Sequence, residues 1–303
     1  MSAADGAGSL EQPVWFAPLR SPSWLVPDVR DDAPRLVFRA EPWEEGAVDA
    51  AGRDLRLGLP LYLAEAARFG TNARPSVLRA PVAVDGPMPD AMTVRSEVAP
   101  DGGGSIRLRV LDARGSVHAE VEREAHDEET LGAALATLPH EVSTAAAAGG
   151  VRPVWNSMYR LPVGAGLAAY VRGLHASTRI LEDALPASAG ADALVARRAD
   201  VSAVLGSLGV LATSASGPFP ALLFFGAVLS ARDVGSPVVG GYRLQVNARC
   251  TAATDPLDPV FAMTALVARV FGDLVASERR IAQLRAGGDA SIQQWLDRVE
   301  GVT

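Results

Sequence analysis

The chain contains no lysine and a single cysteine. All 28 basic residues are arginine, which excludes a Schiff-base lysine and the phosphate-gripping lysine of a P-loop. Together with the alanine, glycine and proline content, the arginine usage points to a GC-rich genome. The lone thiol, Cys250, excludes an intrachain disulfide and a structural zinc site built on several cysteines. It is expected to be a half-buried bystander in a reducing compartment. Long apolar runs are missing too. The greasiest stretch, FPALLFFGAVL at 219–229, falls well short of the ~20 residues a spanning helix needs. The opening residues, MSAADGAGSLEQPVWF, carry neither the basic nor the apolar region of a secretory leader. The expectation is a soluble, cytoplasmic chain with no membrane insertion. G-x-S-x-G, H-E-x-x-H, C-x-x-C and P-loop patterns are also absent, which removes the commonest signatures of hydrolases, zinc proteases, dithiol redox proteins and nucleotide phosphatases.

What is present is the material of a globular fold. The 303 residues are 49% hydrophobic and 21% charged, enough for one large domain or two ordinary ones. The net charge of -7 is uneven. Residues 1–150 hold 14 arginines against 23 acidic residues, and residues 151–303 hold 14 against 12. The asymmetry predicts two units with different surfaces. Neither half has the basic stripe of a nucleic-acid binder, so no such partner is expected.

Periodicity fills in the halves. Residues 1–33, with the Pro- and Trp-rich stretch PVWFAPLRSPSWLVP, suit an extended arm. RLVFRAEPW at 35–43 suits a strand, and the following AGRDLRLGLPLYLAEAARFG suits a helix ended by Gly70, kinked or split at Pro60. Strands are expected at 76–84 and 92–98. In SIRLRVLDARGSVHAEVE, Asp112 and Gly115 supply a turn between two strands that place Val117, Ala119 and Val121 inward. Asp127 then caps a helix. From about residue 160 the pattern is helical only. Six helices are expected, one of them running without interruption from Asp258 to Gly287.

Two constellations invite a chemical reading. His118, Glu120 and Glu122 alternate along one strand, with His126 just beyond, in the manner of a metal-ligand set. Arg107 and Arg109 on the preceding strand face them, however. Cross-strand ion pairs account for the arrangement, and no metal is expected. VGAGLAAY at 163–170 matches G-x-G-x-x-A, with Glu182 and Asp183 near the distance of a ribose-binding acid. The preceding RPVWNSMYRLP is a poor buried strand, so no dinucleotide or other cofactor is expected. Ser214 and Ser216 suit a helix linker, and His140 and His175 are isolated within helical patterns.

The order of elements carries a resemblance. RLVFRAEPW, the helix with LGLPLYLAEAARF, the hairpin IRLRVLDARGSVHAEVE and the helix ending LPHEVSTAAAAGGV resemble the N-terminal domain of TolB-like proteins. Leu108, Val110, Asp112, Gly115 and Val117 fall on that family's hairpin pattern. The following AGLAAYVRGLHA is similar to the point where such domains pass into TPR-like helical repeats. The resemblance implies an α+β fold: an arm at 1–33, a small TolB-like α/β sandwich at 34–150 and an all-α TPR-like domain of helical hairpins at 155–303. It supplies no catalytic residues and implies a non-catalytic scaffold or adaptor that binds a protein partner through its helices. Arg172, Arg179, Arg197, Arg198 and Asn247 are the candidate partner-binding residues. A rival reading is a ligand sensor or enzyme with a pocket at the domain junction, where Trp155, Asn156, Tyr159 and Tyr170 cluster. A third is a subunit of a larger assembly, docked through Trp15 and Trp24 of the arm.

Overall fold

The computed structural model describes residues 9–42, 49–78, 88, 90–99, 105–182, 190–255 and 258–301, without the side chains of Leu181, Glu182 and Leu194. All structural statements concern these residues. Trp43, the segment 79–84 of the second expected strand and Asp183 lie outside them. The chain forms two compact units, Met1–Pro13 with Asp28–His175, and Val14–Pro27 with Ala176–Thr303. The division thus falls at 175/176, not at the 150–155 boundary expected from sequence, and the arm is shared between the units.

The first unit is built on a mixed sheet. Its strands are β1 (Ser9–Leu10), β2 (Arg35–Ala40), β3 (Arg74–Leu78), β4 (Ala91–Val98), β5 (Ser105–Leu111) and β6 (Val117–Glu124), in the spatial order β1-β3-β2-β4-β5-β6. β2 runs parallel to β3 and β4, and the other pairings are antiparallel. A parallel neighbour needs a crossover, supplied here by α1 (Ala50–Gly70), which packs on β2, β3 and β4. Asp49 caps α1 by accepting from the Gly52 amide at 2.7 Å. Leu55, Leu59, Tyr62, Ala66 and Phe69 recur at helical spacing and are all buried. Pro60 leaves α1 continuous and does not split it.

The β5–β6 turn follows its sequence. The Asp112 carboxylate accepts from the amides of Arg114 and Ser116 at 2.8 and 3.0 Å, and Gly115 takes φ +81°. These backbone donors hold the Asp112 carboxyl below the usual carboxylate range. A register shift at Val110/Leu111 sets Val117 opposite Leu111, beyond a bulge at His118. Val117 is therefore 56% exposed and not inward as its alternation predicts. α2 (Glu128–Ala145) starts with a reciprocal capping box between Asp127 and Thr130 and packs on β6. α3 (Ala165–Glu182) carries the chain from the first unit to the second.

The second unit holds α4 (Ala191–Ser214), α5 (Phe219–Asp233), α6 (Arg243–Ala252), α7 (Pro259–Val270), α8 (Leu274–Ala286) and α9 (Ala290–Glu300). α5 is buried around its whole circumference from Phe219 to Ala231, as its unbroken apolar sequence requires. The segment 14–27 closes one side of it. Trp15 is buried edge-on to Phe219 at 5.8 Å and lies against Gly226, where a β-carbon would crowd it. Trp295 donates its indole N–H to the Leu19 carbonyl at 3.0 Å and meets Trp24 edge-on. The stretch expected to be an extended docking arm is thus a turn and a short 3-10 helix (Ser23–Leu25) occupied by its own unit.

The long helix expected over 258–287 is two. Gly272, at φ +83°, ends α7, and the Asp273 carboxylate starts α8 by accepting from the Ala276 amide at 3.1 Å. Seven helices, not six, follow residue 160 among the described residues. The chain is mixed α and β, and none of its described helices is long and apolar enough to cross a membrane.

Candidate functional site

Trp155, Asn156, Tyr159 and Tyr170 all lie in the first unit. Two of them meet on a residue that their spacing did not indicate. Glu65, in the middle of α1, is buried, and its Oε1 accepts from the Tyr170 hydroxyl at 2.7 Å and the Tyr159 hydroxyl at 3.4 Å. The Tyr159 ring stacks flat on Phe69 at 4.8 Å, and Tyr62 donates to the Leu135 carbonyl at 3.1 Å. Burial, with the Glu65 charge nearby, pushes the phenols of Tyr62 and Tyr159 well above their usual range. The hydroxyls of Tyr159 and Tyr170 thus both serve the Glu65 carboxylate. Asn156 closes its own turn by accepting from the Met158 amide at 3.0 Å. The visible sequence signal for Glu65 was a lone acid inside the apolar run LPLYLAEAARF, where a carboxylate needs partners.

Trp155 goes the other way. The loop that carries it is pinned to the end of α1. The Val154 amide donates to the Gly70 carbonyl at 2.8 Å, Thr71 and Pro153 form a β-bridge, and the Arg152 amide donates to Asn72 Oδ1 at 2.7 Å. The Asn72 amide returns a bond to the Arg152 carbonyl at 3.0 Å. Tyr159 anchors the far side of the loop. Between the anchors Trp155 is 91% exposed, and Val154, Met158 and Val163 are exposed in the same stretch of chain. Tryptophan is among the most costly side chains to leave in water, so an apolar group held out on a fixed loop is the informative exception to ordinary burial. Arg152 and Arg160 are exposed in the same loop. No acidic residue occurs between Glu141 and Glu182.

The other predicted residues fall in both units. Arg172 is held by Glu128 in a two-pronged ion pair at 2.5 and 2.7 Å, which also holds the Glu128 carboxyl below its usual range. Arg197 donates to the carbonyls of Arg179 and Ile180 at 3.0 and 2.8 Å, closing the end of α3. Arg179 and Asn247 are half-buried, and Arg198 is exposed. Arg107 and Arg109 lie 3.4 Å from Glu120, and Arg107 lies 3.4 Å from Glu122, so the acidic row is ion-paired. No metal-holding group of His, Cys, Asp and Glu occurs among the described residues. At the glycine-rich turn, Gly164 takes φ +53° and the Ala165 amide donates to Glu129 Oε2 at 3.0 Å. A protein carboxylate thus occupies the helix N-terminus where a phosphate would bind. Ser214 donates to the Val210 carbonyl at 2.8 Å as a helix-end bond. His175 Nδ1 lies 2.7 Å from Asp54. Cys250 is buried, more fully than expected, and burial pushes its thiol up to about 12, so it is no nucleophile at neutral pH.

An open cavity of about 710 Å³ in the second unit is lined by Arg232, Arg269, Val270, Phe271 and Leu274 among others. Both arginines sit in the last turns of α5 and α7, where they offset the helix dipoles, and those same dipoles disfavour an anion. No protein-family model, curated protein or solved structure matches the chain. Of the large apolar side chains on the described surface, Trp155 is the most exposed, at 91%.

Proposed function

We propose that the chain is a non-catalytic protein-binding module of the scaffold or adaptor kind, and that the loop at 152–163 is its docking point. The observation that carries this is Trp155, 91% exposed on a loop fixed at both ends. Tryptophan, methionine and arginine are the residues most enriched in protein interfaces, and a tryptophan presented on a rigid support loses little entropy on binding. The resemblance to TolB-like and TPR-like domains supports the same class of function. The docking surface favoured here differs from the helical arginines, because Arg172 and Arg197 are engaged within the fold. Arg152 and Arg160, in a stretch without acids, suit a partner whose surface is acidic.

The test is a photo-crosslinking amino acid placed at the exposed Val154, which leaves Trp155 in place, and, separately, at the exposed Leu244 of α6, in cells that express the chain. A discrete protein adduct at 154 that is missing at 244 is the expected result. The adducted protein should then bind the purified chain, and Trp155→Ala should weaken that binding by ~2 kcal/mol or more, about thirty-fold. The melting curve of the variant should be unchanged, since an exposed side chain contributes within ~0.5 kcal/mol. A partner that binds the Trp155→Ala variant as tightly as the parent would remove the loop from the interface.

A further inference from the structure

β6 ends the sheet among the described residues. About half of an edge strand's backbone N–H and C=O groups point away from its one neighbour and have no second ladder to join. The side chains along this edge are sorted by charge. On the outer face the charged side chains of β5 are Arg107 and Arg109, and those of β6 across from this row are Glu120, Glu122 and Glu124. Arg107 has acidic neighbours on both sides, 3.8 Å from Glu97 on β4 and 3.4 Å from Glu120 and Glu122 on β6. The ion pairs of Glu120 and Glu122 run to the β5 arginines, and both side chains are about half exposed. On the opposite face Val121 lies across from Leu108 and Ala119 across from Val110. Leu108 and Val110 are fully buried, whereas Ala119 and Val121 are only half covered.

We propose that the β6 edge accepts an extended segment of a partner protein that alternates basic and apolar residues, adding a seventh strand to the sheet. Its basic row would meet the open side of Glu120 and Glu122. Its apolar row would cover Ala119 and Val121. Backbone bonds to the edge would supply affinity, and the two rows would set the register. The same charges close the edge to copies of the chain, because antiparallel β6–β6 pairing sets one glutamate row against another. This is a second surface, apart from the loop that carries Trp155, and it stands or falls independently of that loop.

The probe is an acetylated nine-residue peptide alternating valine and arginine, compared with a scrambled peptide of the same composition and with one alternating valine and glutamate. Binding is followed by titration and by amide hydrogen exchange of the whole chain. The alternating valine–arginine peptide should bind at least about tenfold more tightly than the scrambled one, and it should slow exchange of alternate β6 amides. Glu122→Gln, an isosteric change that gives up only the exposed ion pair to Arg107, should weaken binding severalfold. Glu120→Arg with Glu122→Arg should transfer the preference to the valine–glutamate peptide. Equal binding of the scrambled peptide, or binding without protection of β6, overturns the proposal. So does β6 protection that grows with protein concentration in the absence of peptide, which would assign the edge to a second copy.

Discussion

At the scale of single residues, the most consequential polar group in the first unit is Glu65. A carboxylate as buried as this one is tolerated only when its oxygens are met by donors, and the 2.7 Å bond from Tyr170 is the shorter of the two phenol contacts to it. Tyr170→Phe removes a hydrogen bond to a charged group and should cost ~2 kcal/mol. Tyr159→Phe should cost less, because its contact is 3.4 Å and its ring stacking on Phe69 survives. Urea denaturation of the two variants tests the ranking, and equal losses would contradict it. The tyrosines also set the alkaline limb of stability. Burial raises the phenol pKa of Tyr62 and Tyr159 above its ordinary value of 10.0. A raised folded value means that the folded state holds the proton more tightly than the unfolded one. The stability it contributes is fully present below ~10 and is lost as pH rises from there toward the folded pKa. Unfolding free energy measured across this range should fall, and the fall should be shallower in Tyr62→Phe/Tyr159→Phe. The sequence groups Tyr159 and Tyr170 with Trp155 and Asn156 as a candidate pocket. Their meeting point was not legible there, because Glu65 lies 94 and 105 residues away in the chain and nothing local marks such a pairing.

At the scale of elements, two glycines inside helices act as contact surfaces. Alanine in place of a helical glycine normally stabilises by ~1 kcal/mol. In α1, a β-carbon on Gly58 would run into the Val171 carbonyl of α3, and in α2 one on Gly132 would run into the Gly164 carbonyl. Backbone atoms cannot swing aside as a side chain can, so Gly58→Ala and Gly132→Ala should reverse the sign and destabilise by ~1–3 kcal/mol. Thermal melts decide it, and a raised midpoint in either variant would show that the helices are not this close. The break between α7 and α8 belongs to the same scale. The apolar rhythm of 259–286 continues across it, so periodicity alone reads a single helix. The information lies in the pair Gly272–Asp273, a left-handed residue followed by a capping carboxylate, which is a stop and a start in adjacent positions. Val117 was misplaced for a related reason: alternation fixes the face of a strand only until a bulge adds a residue, here His118. Where the local chemistry was explicit, at Asp112–Gly115, Asp127–Thr130 and the β5–β6 ion pairs, the sequence and the structure agree.

At the scale of the whole chain, burial sorts the tryptophans into different jobs. Trp15 and Trp295 are almost wholly enclosed in the second unit, Trp24 is half-buried against Trp295, and Trp155 stands 91% exposed in the first. Composition could not separate them, since an aromatic in a Pro-rich arm and an aromatic in a loop look alike until the packing is known. Trp15 fills the side of α5 at Gly226, where the helix has no side chain of its own. Removing it leaves a cavity beside an apolar helix that no local rearrangement of a glycine can fill. Trp15→Ala should therefore cost ~3–5 kcal/mol, as core tryptophan truncations do, and Trp295→Ala should cost as much, with its indole bond to the Leu19 carbonyl lost as well. Trp24→Ala should cost less, and Trp155→Ala should stay within ~0.5 kcal/mol. Hydrogen exchange localises the effect: in Trp15→Ala the amides of α5 should exchange faster, while those of β2, β4 and β5 keep their protection. If Trp15→Ala leaves α5 protected, the segment 14–27 is dispensable to the second unit and is again a candidate for docking elsewhere. If Trp155→Ala destabilises the chain as strongly as Trp15→Ala, the loop at 152–163 is part of the core and the docking assignment fails with it.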